Sequence, residues 1–107
     1  MSWSRGPNLF DRSEPPASGE RFEVLARLNQ VLVERVVSSG TPVPELYDQV
    51  HDEWVILLRG EATLEVSGTP VELQAGDTLL LPMHTPHRVL ATSPGAIWLA
   101  VHAFPPA

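Results

Sequence analysis

The chain has 107 residues, of which 43% are hydrophobic, so it can enclose one core and is short for two ordinary domains. Its formal net charge of -6 leaves few cationic side chains for a basic surface, which argues against nucleic acid and against an anionic membrane as partners. There is no cysteine, so neither a disulfide framework nor a thiolate metal site is expected.

The amino-terminal segment is rich in proline, glycine and serine and has no sustained hydrophobic period. We therefore predict an arm or loop over residues 1–20, followed by a single folded domain over residues 21–107. The segment has no apolar stretch of the kind found in secretory signals, and no run in the chain reaches the length of a membrane span. The expectation is a cytoplasmic protein.

Beyond the arm, short β-rich runs alternate with turn-forming residues. The tetrapeptide Ser-Gly-Thr-Pro occurs at 39–42 and again at 67–70, which indicates the same turn chemistry used twice. This spacing predicts an all-β sandwich or barrel. The predicted strands cover residues 22–28, 31–38, 54–59, 61–67, 71–73, 78–81, 87–92 and 97–104.

Two of these runs differ in their side-chain pattern. In residues 61–66 polar and apolar side chains alternate, which predicts one face toward water and one toward the core. Residues 54–58 are apolar on both faces, which predicts a central strand or an interface.

A dense polar cluster precedes the strand at 54–59. Glu53, six intervening residues and Gly60 match the second half of the first motif of the cupin superfamily. Gly76, Pro82 and His87 match the second motif in the right order. The chain thus resembles the cupin superfamily over about residues 31–102, and more narrowly a group of small single-domain bacterial cupins. The resemblance implies a small jelly-roll β-barrel and a homodimer.

The chain also departs from the cupin pattern. Tyr47 and Gln49 stand where the first motif has its two histidines, and His51 lies between Gln49 and Glu53. His84 replaces the glycine of the second motif, and its simplest interpretation is a polar turn residue.

In cupins the motif histidines and the glutamate converge on one divalent metal in the barrel mouth. The resemblance carries this role over to Glu53 and His87, with Zn, Ni, Fe, Mn or Cu as the expected ion. Gln49, His51 or a deprotonated Tyr47 would have to complete the ligand shell.

The spacing within the first motif needs a bend in the chain. In a straight strand Tyr47 and Glu53 would lie roughly 20 Å apart. The cupin resemblance implies a bend near residues 50–52, which leaves His51 at the turn, either directed inward as a ligand or pointing to solvent.

A ligand pocket is predicted from Arg35, Tyr47 and Trp98, with Tyr47 and His102 as candidate proton-transfer residues. His102 shares strand parity with Trp98, so it either lines the pocket or bonds a backbone carbonyl. Arg35 is a candidate partner for Glu53 or for an anionic ligand, or else an edge-strand residue that extends to water. Glu53 needs a cation or hydrogen-bond donors if it is buried.

Three functions remain open at this point. The first is a metal-binding cupin, either a metal-dependent oxygenase, isomerase or lyase acting on a small polar organic substrate or a former enzyme of that kind. The second is a metal-free barrel that binds or senses a small ligand, which the loss of the two histidines favours. The third is a structural dimer without catalysis.

Overall fold

The computed structural model describes residues 2–106, and all regular secondary structure in this part of the chain is β. This confirms the all-β class, and the first strand begins one residue inside the segment predicted as an arm. The strands are β1 (Glu20–Leu28), β2 (Val31–Ser38), β3 (Asp52–Arg59), β4 (Glu61–Val66), β5 (Thr69–Gln74), β6 (Thr78–Leu81), β7 (His87–Thr92) and β8 (Ile97–Ala103).

The strands form two antiparallel sheets that enclose the barrel. The larger sheet has the order β1-β2-β8-β3-β6, and the smaller has the order β5-β4-β7. The strand at the centre of the larger sheet, β8, pairs with β2 on one side and with β3 on the other. The residues of β8 therefore lie between two neighbouring strands, and His102 is directly opposite Glu53 of β3.

The hydrophobic core lies between the two sheets. Leu57 and Trp98 come from the larger sheet, whereas Leu64 and Leu73 come from the smaller one, and each of these side chains is at most 5% exposed. Because side chains alternate along a strand, burial of Val55 and Leu57 requires Glu53 to face the same interior.

The outer face of the larger sheet is covered by the amino-terminal arm. Arg35 donates hydrogen bonds to the backbone carbonyls of Leu9, Asp11 and Arg12 and to both carboxylate oxygens of Glu23. Its side chain is only 4% exposed. The arm is therefore fixed to the sheet by a buried guanidinium group.

This position of Arg35 differs from the sequence-based prediction. On β2 the residues that face the barrel interior are those with the parity of Val36, and Arg35 has the opposite parity. Arg35 neither faces Glu53 nor extends to water, because the arm buries it against Glu23. Parity along β2 identified which residues share a face but not which face is the inner one.

The backbone conformation at the β3–β4 connection explains why the first motif ends in a glycine. Gly60 has a φ of 90°, in the left-handed region that favours glycine. A Cβ at this position would approach the Cβ of Ala96 to 2.9 Å, which is closer than packed side chains allow.

The repeated tetrapeptide adopts two conformations. Ser67 and Gly68 both have positive φ values and join β4 to β5 as a two-residue hairpin turn. Residues 39–42 instead form a bend by which the chain leaves β2, and there the Ser39 hydroxyl donates to the carbonyl of Gly19. Residues 2–106 contain no helix long and apolar enough to cross a membrane.

Candidate ligand site

A cavity of about 410 Å³ opens between the two sheets. Its volume lies in the range of small-molecule sites, and its wall combines apolar side chains with a group of convergent polar ones. The apolar part consists of Phe22, Val36, Val55, Leu64, Leu81, Val89, Trp98 and Ala100. The polar part consists of Glu20, Glu34, Glu45, Tyr47, Gln49, Glu53, His87 and His102.

A bend before β3 brings the first motif to this cavity. Val50 and His51 form the bend, and β3 begins at Asp52, as the cupin resemblance implied. The loop before the bend is joined to β7 by an isolated antiparallel bridge, in which Tyr47 and His87 exchange backbone hydrogen bonds of 2.8 and 2.9 Å. Their rings stack with centroids 5.6 Å apart. The two predicted motif halves therefore meet in one wall.

Glu53 and His87 face each other inside the cavity. Glu53 Oε1 lies 3.7 Å from His87 Nε2, and the two side chains are 12% and 8% exposed. The other ring nitrogen, Nδ1, is 2.9 Å from the carbonyl oxygen of Thr85. A carbonyl can only accept, so Nδ1 carries a hydrogen and Nε2 is left to face Glu53 and the cavity.

The environment of Glu53 disfavours its charge. Burial raises the pKa of Glu53 above its ordinary value, although the nearby His102 and His87 and the Gln49 amide act in the opposite direction. Part of the cavity wall is thus a carboxyl group that holds its proton to higher pH than a solvated glutamate does.

His102 is held by hydrogen bonds at both of its ring nitrogens. Nε2 lies 2.7 Å from Glu34 Oε1, and Nδ1 lies 2.9 Å from His51 Nε2. Burial acts to lower the pKa of His102, but the hydrogen bond to Glu34 and the charges of Glu53 and Glu34 together raise it. Burial and the proximity of His102 lower the pKa of His51. Of the two imidazoles, His102 is therefore the one that binds a proton first.

His51 adopts neither of its two predicted orientations. Its ring packs against Phe104 with centroids 4.3 Å apart, and its Nε2 lies 2.9 Å from His102 Nδ1, while His51 itself is not among the residues that line the cavity. It supports His102 rather than reaching the cavity itself.

Tyr47 lines the cavity, but its phenol is a weak acid. Burial, followed by the charges of Glu45 and Glu20, raises the pKa of Tyr47 to about 12. The hydroxyl donates a hydrogen bond of 3.3 Å to Glu45 Oε2. At neutral pH the phenol therefore stays protonated, which suits a hydrogen-bonding role better than proton transfer.

Three glutamates of the cavity wall were not singled out from the sequence: Glu20, Glu34 and Glu45. Glu20 accepts a 2.7 Å hydrogen bond from the Ser38 hydroxyl, which in turn accepts 2.9 Å from the Trp98 indole. Burial raises the pKa of Glu20, and the charges of Glu53 and Glu34 add to that effect. Glu34 has the parity of Val36 on β2, which is the pattern that would have identified it had the inner face been known.

The structure therefore brings together six of the eight residues predicted for the site. Tyr47, Gln49, Glu53, His87, Trp98 and His102 all line the cavity. Arg35 lies on the outer face of the sheet, and His51 lies behind His102.

The residues present do not fit a cupin metal centre. Within residues 2–106 no group of three or more histidine, aspartate or glutamate side chains is arranged to hold an ion. Glu53 and His87 are placed to act as two ligands, but His102 is bonded at both nitrogens and Tyr47 holds its proton. The remaining donor is the amide of Gln49, a weak ligand for transition metals.

Comparison with known proteins agrees with the architecture. A family model described as "Cupin domain" matches residues 33–102. A protein of Ralstonia eutropha JMP134, provisionally named a mannose-6-phosphate isomerase, is 35% identical with a TM-score of 0.85, and the match covers 95% of this chain and 100% of that one.

More distant structures share the fold. An RmlC-like cupin protein of Desulfovibrio desulfuricans is 16% identical with a TM-score of 0.80, and the match covers 94% of this chain and 97% of that one. KdgF of a Halomonas species is 20% identical with a TM-score of 0.75, over 82% and 81% of the two chains. A search of curated protein sequences found no match.

Proposed function

The chain belongs to the cupin family, and from that premise and the geometry of its cavity we propose that it binds a small polar organic molecule in the barrel mouth without a metal ion. The observation that carries this proposal is the wall itself, in which an apolar surface meets convergent carboxylate and imidazole groups within about 410 Å³. The two cupin ligands that remain, Glu53 and His87, then serve as hydrogen-bonding partners of the ligand.

Metal analysis and ligand screening test this proposal together. Protein purified without chelator should contain far less than one equivalent of any transition metal. Small molecules screened in EDTA should include some that raise Tm, because a ligand at one hundred times its Kd stabilises the fold by about 2.7 kcal/mol.

Matched variants assign the effect to the cavity. Glu53→Gln and His87→Gln should abolish the ligand-dependent rise in Tm, whereas Glu72→Gln, on an exposed position of β5, should leave it intact. Stoichiometric metal that is lost in both cavity variants would instead support the metal-dependent reading, and a screen without any stabilising compound would contradict a binding role.

A second candidate function is proton-transfer isomerisation of a small hydroxy-carbonyl compound. Two observations favour it: the 3.7 Å approach of Glu53 to His87 Nε2, and the name of the 35% identical Ralstonia protein. The Glu53 carboxylate would remove the proton from the carbon next to the carbonyl, and a His87 ring protonated at both nitrogens would give its Nε2 proton to the carbonyl oxygen, which forms an enediol. Glu53 then delivers its proton to the former carbonyl carbon while the other enediol hydroxyl returns a proton to His87 Nε2, so the carbonyl has moved by one carbon and both side chains are restored.

Deuterium exchange tests this second function. Mannose and mannose 6-phosphate incubated in D₂O with the protein would acquire deuterium at C2 if the reaction occurs. Glu53→Gln and His87→Gln should abolish the exchange, and Glu72→Gln should retain it. Absence of exchange above the buffer rate for both sugars would rule the reaction out for these substrates.

The proposed partner is accordingly a small molecule. A homodimer stays a prediction of the family resemblance, and light scattering at several protein concentrations would measure it.

A further inference from the structure

The hydrogen-bonding groups of the cavity wall are mostly acceptors, because its donors are already used within the protein. The Tyr47 hydroxyl donates to Glu45, and the indole of Trp98 donates to Ser38, whose hydroxyl donates to Glu20. A carboxylate can only accept, so the 2.7 Å contact of His102 Nε2 with Glu34 also uses a donor. Apart from the amide of Gln49, which bonds Glu53, what remains for a ligand is a set of carboxylate oxygens.

His87 adds a further acceptor that is independent of the glutamates. Its side chain is 8% exposed and lines the cavity, and Nδ1 donates to the carbonyl of Thr85. Nε2 makes no hydrogen bond within the part of the chain that the structure describes, since Glu53 at 3.7 Å is beyond bonding distance. In the neutral ring this buried nitrogen presents a lone pair to the cavity.

The charged side chains of the cavity wall are likewise mostly carboxylates. Among the described residues, four glutamates line the cavity, and its only lining side chains that can become cationic are His87 and His102. All seven basic residues of the chain are arginines, and none of those within residues 2–106 lines the cavity. Glutamates elsewhere do receive arginine partners, Glu23 from Arg35 at 2.6 Å and Glu65 from Arg88 at 2.8 Å.

We propose that the ligand of this cavity is a small organic cation, a primary ammonium group carried on an apolar body. An ammonium group has three donors and no acceptor, which complements carboxylates and the free nitrogen of His87. The body of the ligand would contact Phe22, Val55, Leu64 and Trp98. A phosphate or carboxylate group brings further negative charge and acceptors into a wall that already has both, so anionic ligands are disfavoured.

This inference rests on the proposed binding function and specifies its ligand. The test uses matched triplets of amine, alcohol and carboxylate on three carbon skeletons, butyl, cyclohexyl and benzyl, with mannose and mannose 6-phosphate added. Calorimetry on the full chain at about pH 8, above the ordinary pKa of glutamate and below that of an alkylamine, favours ionised carboxylates and protonated amines. In at least one triplet the amine should bind about tenfold or more tightly than its alcohol, and the carboxylate should not bind.

Variants of the cavity glutamates test whether the preference for amines depends on the charge of the cavity wall. Glu20→Gln and Glu34→Gln should each weaken the amine about tenfold and change the alcohol little, whereas Glu72→Gln on β5 should alter neither. Circular dichroism and Tm of each variant verify that it is folded.

Each remaining outcome counts against the inference. If an alcohol, a carboxylate or either sugar binds as tightly as every amine, the cationic preference is overturned while the binding function stands. If no compound of any charge binds, both are overturned. Amine binding that is unchanged in both Glu20→Gln and Glu34→Gln would place the cation elsewhere and overturn the assignment to this cavity.

Discussion

Glu23 and Glu34 lie on neighbouring strands of one sheet, but the two faces of that sheet treat their carboxylates in opposite ways. On the outer face Glu23 is bonded through both oxygens to Arg35, whose charge is permanent. On the inner face Glu34 is bonded to His102, whose charge depends on pH. The Glu23–Arg35 pair holds the arm in place. The Glu34–His102 pair leaves negative charge in the cavity wall that can interact with a ligand.

The kind of partner distinguishes a structural ion pair, as on the outer face, from a candidate ligand site, as on the inner face. A carboxylate buried beside arginine has its partner in the fold itself, whereas carboxylates beside histidines and hydroxyls still lack a full counter-charge. Burial and the charge of Glu34 raise the pKa of both Glu20 and Glu53, so ionised carboxylates in the cavity wall carry an electrostatic cost. Substitutions on the two faces should therefore change stability in opposite directions.

The largest effect is expected on the outer face. Arg35→Met keeps an apolar stem of similar length but leaves three backbone carbonyls without their donor and Glu23 with Arg21 as its remaining cationic partner. Removing one partner of a buried ion pair costs about 3–5 kcal/mol. Glu23 is 33% exposed and keeps its contact with Arg21, so we expect a loss of about 3 kcal/mol, which urea unfolding would measure. Arg27→Met, at an exposed position of the neighbouring strand, is the matched control and should change stability by about 0.5 kcal/mol or less. Equal losses in the two variants would show that Arg35 does not hold the arm.

The opposite sign is expected on the inner face. Glu20→Gln keeps the acceptor for Ser38 and removes a charge that burial disfavours, so the ligand-free protein should gain stability at pH 7, by about 0.5–2 kcal/mol. Because the pKa of Glu20 is raised in the folded state, the contribution of Glu20 to the free energy of unfolding is largest at low pH. That contribution is lost as pH rises through the folded pKa. The advantage of the variant should therefore shrink below about pH 4. A destabilised Glu20→Gln at pH 7 would remove the contrast between the faces.

A third prediction concerns His102 and its pH dependence. Its pKa is raised above 6.5 in the folded state, so its stabilising contribution is complete below that pH and is lost as pH rises through the higher folded pKa. The groups that face it are Glu34 on β2, Glu53 on β3 and His51 at the bend. Between about pH 6 and 8 wild type should lose more stability than His102→Gln, by about 1 kcal/mol or less.

An NMR titration of the His102 ring gives a direct readout of that prediction. Glu34→Gln should lower the pKa of His102 because it removes a hydrogen-bond acceptor and a negative charge together. An unchanged titration in Glu34→Gln would mean that Glu34 does not stabilise the protonated ring.

The smallest effect is expected at His84, outside both faces. This residue has a φ of 61° at the position where the cupin motif has glycine, and its ring makes an exposed contact of 3.1 Å with Asp48. His84→Gly relieves a left-handed conformation that costs about 1–2 kcal/mol for other residues, partly offset by the greater entropy of the unfolded chain. We expect a gain of about 1 kcal/mol or less, with His84→Ala as the control that keeps the strain. A loss of stability in His84→Gly would assign real weight to the Asp48 contact.

Strand positions followed from the sequence because apolar alternation and turn residues act locally. Residues 31–38, 78–81 and 87–92 were predicted with the bounds that the structure shows. Glu53 and His87 were also predicted to converge, through motif spacing that carries the three-dimensional arrangement of the family.

The parts that the sequence did not reveal depend on contacts between distant segments. Both faces of β2 carry apolar residues, since the arm buries the outer one, so alternation alone did not separate Arg35 from Glu34. The proton affinity of His102 likewise depends on Glu34, Glu53 and His51, which come from three places in the chain.

The backbone bridge between Tyr47 and His87 couples ligand binding in the cavity to the loop before β3. His87 contributes its amide and carbonyl to the loop and its imidazole to the cavity, so a ligand that immobilises the ring also restrains the loop. That loop exposes Val43, Leu46 and Val50, which are 64%, 59% and 66% accessible. A bound ligand should therefore slow hydrogen exchange at the amides of Tyr47 and His87 together. It should also reduce the motion of the exposed apolar loop outside the cavity.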